Sequence, residues 1–268
     1  MEFPTKKTLK LTIDTSKTDT EISITGTKIG GLGYIQPGGT IPMEDSGDQL
    51  RLLAQLNFTE IRSKVELPAE LDEKLPKEGL LQFWVSMDDV SGCDFENIET
   101  GKIPNQNGYR VVYIPASEIV PSVTKADIKM LLKSTQYDED EMFPVIDNAE
   151  YAVTFSISDS IYVDNYDKMI EDYPDEDERG KVYENEAGHK IGGYPMFVQN
   201  DPRGDMEEES DREAFERYDF LIFQLDSDFE NGKDLVLWGD AGCAQFLINS
   251  EKLKSLDFTD ILYNWDCY

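Results

Sequence analysis

Proton transfer and metal ligation need histidines, cysteines or paired carboxylates at defined spacing, and this chain offers few. His189 is the only histidine in 268 residues. A Ser–His–Asp or Cys–His mechanism would have to use it, and metal sites built on two or more histidines are excluded. It directly precedes Lys190-Ile191-Gly192-Gly193, the approach to a tight turn, where a local hydrogen bond is its ordinary role. A lone imidazole still titrates near neutral pH. Cys93, Cys243 and Cys267 form no CxxC pair and are odd in number. That argues against a disulfide framework or a cysteine zinc site and points to a reducing cytoplasm.

Other motifs fail on spacing. Asp226, Asp228 and Glu230 open like a calcium loop, but Asn231 stands where glycine is required and Leu237 where glutamate is required. A hairpin turning at Asn231-Gly232 explains the segment better. Lys-Ile-Gly-Gly, at 28–31 and again at 190–193, lacks the spacing of a dinucleotide or phosphate loop. Two glycines after a strand instead supply positive φ or close packing. Trp238 and Asp240 sit among glycines in WGDAG, where Asp240 either caps a turn or faces a cleft. No cofactor is implied and no catalytic residue is assigned.

The remaining candidates are four glutamines on otherwise apolar segments: Gln55, Gln82, Gln224 and Gln245. Each matches a counterpart. LLAQLN (52–57) resembles LIFQLD (221–226), and GLLQFWV (79–85) resembles GCAQFLI (242–248). With the glycine pairs this makes three matches in the same order, which predicts an internal duplication with units at about 28–86 and 190–249. LNFTEI (56–61) also resembles LDFTDI (256–261), out of register and by coincidence.

The matched blocks read as strands. Gln55 and Asn57 share one face, with Leu52, Ala54, Leu56 and Phe58 on the other. Gln224 and Asp226 likewise oppose Leu221, Phe223 and Leu225, and Gln82 opposes Leu81, Phe83 and Val85. A buried glutamine fastens a neighbouring loop or lines a polar site, because an unpaired amide costs about 1–3 kcal/mol. LKLTI (9–13), EISI (21–24), RVVYIP (110–115) and YAVTFSI (151–157) are further strands by pattern, and 124–134, 163–172 and 206–218 read as helices. The fold class expected is α+β: one compact domain over 1–268, mainly antiparallel sheet, from two related halves.

Charge bounds the partners. The chain carries 55 acidic and 25 basic residues, net −30. Residues 1–134 carry −5 and residues 135–268 carry −25. Such a field repels nucleic acid and anionic membranes and speeds encounter with a basic protein, besides favouring solubility. No stretch approaches a membrane span, and the start has no apolar signal region.

HKIGGYP (189–195), QNDPR (199–203), LIFQLDSD (221–228), WGDAG, QFLI (245–248) and the closing WDCY (265–268) together resemble the YwqG-like proteins, a bacterial domain family of unknown function. GGLGYIQPG and LLAQLNF fit the same pattern, with Leu32-Gly33 in place of Tyr194-Pro195. The resemblance implies a single α+β fold around a duplicated unit and an immunity-type partner of a bacterial toxin. It carries over no catalytic residue. Two functions stand side by side: an acidic module that binds a basic protein, and a ligand-binding protein or enzyme. The second would place its site at Gln55, Gln82, Gln224 and Gln245, with Asp226, Trp238, Asp240 and His189 nearby.

Overall fold

The structure, a computed structural model, describes residues 5–100, 102, 104–133, 143–161, 171, 175–204 and 215–268. Twelve strands are described. Ten form one antiparallel sheet: β1 (Thr5–Asp14), β2 (Lys28–Gly30), β3 (Arg51–Asn57), β4 (Leu80–Val85), β5 (Tyr109–Ile114), β6 (Glu150–Ile161), β7 (His189–Gly192), β8 (Phe220–Asp226), β11 (Cys243–Ile248) and β12 (Ile261–Asp266). The other two, β9 (Asp228–Glu230) and β10 (Lys233–Val236), make the expected hairpin, with Asn231 and Gly232 at φ 53° and 78°.

The spatial order is β12-β11-β8-β7-β1-β6-β2-β3-β4-β5. Chain order would place β1 beside β2 and β6 beside β7. Instead β1 pairs with β7 and β6 with β2, and the two long strands pair with each other from Thr5↔Ile161 to Asp14↔Ala152. The sheet curls into a nearly closed barrel. Across its interior Phe83 lies 4.7 Å from Phe223, and Phe246 stacks on Tyr263 at 4.5 Å. The edge strands meet through side chains, with the Tyr109 hydroxyl donating to the Ile261 carbonyl at 2.6 Å. The chain is thus a single domain of mostly antiparallel sheet with few helices. None of the described helices is long and apolar enough to cross a membrane.

Two expectations are corrected. EISI (21–24) is not a strand, although Ile22 and Ile24 are buried. It lies in turns closed by Glu21 N–H to Thr18 O and Gly26 N–H to Ser23 O. Leu52 does not share a face with Ala54, because the register between β3 and β4 shifts between those residues. This bulge sends Leu52 outward to Trp84 and Leu80, while Leu53, Ala54 and Leu56 fill the barrel. Gln82 does oppose Leu81, Phe83 and Val85. Of the helices, 124–134 is realised as α4 (Lys125–Lys129), capped by Thr124 and Asp127 in a reciprocal box. The segments 163–172 and 206–218 lie almost entirely outside the described residues.

The glycine pairs are corners, as their type requires. Gly30, Gly31, Gly192 and Gly193 have φ of 70°, 70°, 71° and 72°. A Cβ on Gly31 would lie 2.5 Å from the Glu150 side chain, and one on Gly193 would lie 2.6 Å from that of Ser160. Gly31→Ala should therefore lose about 2 kcal/mol or more, from strained backbone and displaced Glu150. Gly180→Ala, in the helix Glu176–Glu186 with nothing near its Cβ, should be neutral or mildly stabilising. Urea unfolding of both variants checks this, and equal effects would contradict it.

Candidate functional site

The four glutamines sit in two networks of the same design. Gln55 Nε2 donates to the carbonyls of Ile24 (2.9 Å) and Gly26 (2.8 Å), and its Oε1 accepts the Tyr34 N–H at 2.9 Å. Gln224 Nε2 donates to the carbonyls of Glu186 (3.1 Å) and Gly188 (2.9 Å), and its Oε1 accepts the Met196 N–H at 2.9 Å. The three loop residues held in each case are 162 positions apart. Gln82 and Gln245 then donate to the carbonyls of Tyr34 and Met196, each at 2.7 Å. All four side chains are essentially unexposed. They give irregular loop backbone the partners it would otherwise lack.

Beneath each glycine corner lies a feature that the glutamine pattern does not signal, a fully buried lysine. Lys28 Nζ donates to Glu150 Oε1 at 2.7 Å and to the Leu32 carbonyl at 3.1 Å, and Lys125 pairs with the other Glu150 oxygen. Lys190 Nζ donates to Glu186 Oε2 at 2.7 Å. Burial lowers both lysine pKa values, Lys28 to about 8. A lysine two residues before Gly-Gly reads as a surface residue, so only its repetition hinted at this.

The structure brings Gln224, Gln245, Asp226 and His189 together. Asp226 accepts the Gly188 N–H at 2.7 Å and donates its own N–H to His189 Nδ1 at 3.2 Å. The imidazole proton therefore sits on Nε2, 3.2 Å from Asp228 Oδ2. Burial raises the Asp226 pKa. Gln55 and Gln82 form the other network. Trp238 is buried, its ring 5.7 Å from that of Trp265, and its Nε1 has no partner. Asp240 is exposed on a turn and stands apart. Among the described residues no three His, Cys, Asp or Glu side chains are placed to hold a metal.

The two networks end differently. Cross-strand pairing continues the Gln55–Gln82 row onto Val112 of β5, with Ile114 in the next row. There Ile114 is buried: it packs with Tyr34, Trp84 and Ile128, with Ile119, Val123 and Leu132 against them, while Val112 stays partly exposed and lines a cleft of about 860 Å³ with Tyr113 and Phe258. The Gln224–Gln245 row continues onto Asn264 of β12, and the next row runs Asp226, Cys243, Asp266. There the sheet is open. Asn264, Trp265 and Asp266 line a cleft of about 470 Å³ with Gln199 and with Phe95 and Glu99 of α3 (Phe95–Glu99).

Within that cleft Asp266 Oδ2 accepts the Gln199 N–H at 2.8 Å, whereas Oδ1 is buried with no partner. Desolvation raises the Asp266 pKa against the pull of the nearby N–H groups. Trp265 is fixed by its Nε1, which donates to the Val90 carbonyl at 2.8 Å, and by an edge contact with Phe95 at 5.6 Å. β12 is absent from the elements expected above. Its alternation of Ile261, Tyr263 and Trp265 with Leu262, Asn264 and Asp266 was the available signal.

Two fastened glutamine networks, one of them beside an open cleft, belong to a single mostly-β domain. Residues 27–267 match the family model described as a domain of unknown function, DUF1963, and the chain belongs to that family. No curated protein matches it.

Gln55→Leu removes a partner from two N–H groups, of Tyr34 and Gln82, and from two carbonyls, and should cost roughly 2 kcal/mol or more in denaturant unfolding. A variant within about 0.5 kcal/mol of wild type would show the amide to be idle. Asp266 makes a pH prediction. Its native pKa lies above the roughly 3.9 of an unfolded aspartate, so the native state holds the proton more tightly. The stability this confers is complete below about pH 4 and is lost as pH rises through the native pKa. Asp266→Asn should therefore gain in Tm relative to wild type between pH 4 and 7. A relative loss over that interval would contradict the assignment.

Proposed function

We propose that the chain is a non-catalytic binding module, made of a duplicated unit in which the second half is specialised to recognise a basic protein. The observation that carries this is the unequal ending of two equivalent rows. The outer position is apolar and buried in one half (Ile114, beside the partly exposed Val112), but a half-buried carboxylate on a cleft in the other (Asp266, beside the buried Asn264). A structural role alone favours the sealed version, since an unpartnered buried carboxylate oxygen is unfavourable.

Duplication is supported by the three ordered sequence matches, by a strand order symmetric about the β1–β6 pair, and by the loop contacts repeated at 162 residues. The glutamines, with Asp226 and His189, enter as the support of the site: they hold the loops and strands from which Asn264 and Asp266 project. A basic partner is favoured by the −25 carried by residues 135–268. The YwqG-like resemblance adds an immunity-type role in a bacterial cytoplasm.

The test is capture of a partner from the native cell lysate on the tagged protein, on Trp265→Ala and on Glu178→Gln, a charge removed far from the cleft. A basic protein released at moderate salt from wild type and Glu178→Gln, but not held by Trp265→Ala, is the expected result. Retention indifferent to both salt and Trp265 would overturn the proposal.

A further inference from the structure

We infer that the cleft beside β12 seats a guanidinium group, the side chain of an arginine on the partner; this rests on the reading above that the cleft is the recognition site. The argument begins with charge. Among the described residues Glu99 and Asp266 line the cleft and no lysine or arginine does. Among the described residues no ion pair reaches either carboxylate, although ion pairs engage acids elsewhere, as at Asp201, Asp260 and Glu150. A ligand cation would be the first positive charge in a half-buried acidic site, where attraction is screened less than at the open surface.

Hydrogen-bonding capacity narrows the class. Asp266 Oδ1 is sealed from solvent and lacks a donor, so this carboxylate acts on a cation in the cleft through its charge. Asn264 commits its amide nitrogen to Gln245 Oε1 at 3.1 Å, and Gln199 commits its own to the Cys267 carbonyl at 2.7 Å. Asn264 and Gln199 each keep an amide oxygen and one N–H uncommitted, and with the two oxygens of Glu99 the free acceptors outnumber the free donors, which suits a ligand made only of donors. Guanidinium has five N–H donors and no acceptor.

Shape separates arginine from lysine. Trp265 and Phe95 present two aromatic rings in an edge arrangement, and the indole is immobilised through its N–H. A planar, weakly hydrated cation stacks on such a face while its fork reaches a carboxylate; a compact ammonium gains less from the same geometry. At about 470 Å³ the cleft has room for the side chain and the peptide backbone that carries it.

N-acetyl-arginine amide, its lysine counterpart and its neutral citrulline isostere are titrated into the protein at matched ionic strength, followed by tryptophan fluorescence and calorimetry. The arginine amide should saturate with Kd of roughly millimolar, as suits one side chain, and citrulline should be about 10-fold weaker or worse. Asp266→Asn, shown folded by its thermal transition, should abolish the response, and Glu99→Gln should weaken it. Citrulline binding as well as arginine, or an undiminished response in Asp266→Asn, would overturn the inference. If arginine gives no response while Trp265→Ala still loses the captured partner, the guanidinium assignment fails and the proposed recognition site stands. If Trp265→Ala also keeps its partner, both fail.

Discussion

The long strand β6 sets the distance on which the rest of the sheet depends. Glu150 at its start packs under Gly31 and pairs with Lys28; Ser160 near its end packs under Gly193 and donates to Glu186, the partner of Lys190. The two glycine corners are thus held at opposite ends of one strand, about 33 Å apart at a strand rise of 3.3 Å per residue. β1, paired with β6 from Ala152 to Ile161, carries β7 on its other side and so fixes the orientation of the second half. Because β1 joins β7 and β6 joins β2, neither half keeps its own first strand, and neither can complete its sheet without the other. A chain arranged this way should unfold as a unit, whatever its ancestry.

The buried polar groups follow from the corners. Two consecutive residues at positive φ take the chain out of the ladder, so the loops behind them must find partners elsewhere. Gln55 and Gln224 supply these by reaching across from a neighbouring strand. Lys28 adds a bond to the Leu32 carbonyl and brings a buried charge that Glu150 must compensate. Replacing such an ion pair with apolar residues is often neutral or stabilising, so its occurrence at both corners speaks for fixed geometry more than for added stability.

How much of this could be read from the sequence depends on the range of the physics. Alternation placed β1, β3, β4, β5, β6, β8 and β11, and Asn231-Gly232 placed a hairpin, because these signals are local. EISI has the right alternation, yet the Ile24 carbonyl is taken by Gln55, 31 residues away, and the Ser23 carbonyl by the Gly26 N–H. The bulge after Leu52 inverts one residue's face without any mark in LLAQ. The exchange of first strands is invisible to local pattern, and so is the cleft, whose walls come from α3, the Gln199 loop and β12. The repeated glutamines pointed to the right strands; that the row they begin ends in valine on one side and asparagine on the other emerges only when β5 and β12 are seen as equivalent neighbours.

That difference bears on how charge is used. A net −30 spread over a surface sets solubility and encounter rates but gives no register, since any basic surface satisfies it. Register needs a place where a charge is held at fixed geometry and partly withdrawn from water. Asp266 is such a place: one oxygen is tied to Gln199, the other is buried without a donor, and a fixed indole stands beside it. Long-range attraction would bring a basic partner to this half of the molecule, and the cleft would decide how it sits. In the first half Ile114, buried among apolar side chains, stands where Asp266 stands in the second. On the proposed function, selectivity would rest on two side chains of one edge strand, Asn264 and Asp266, held in position by the Gln224–Gln245 network.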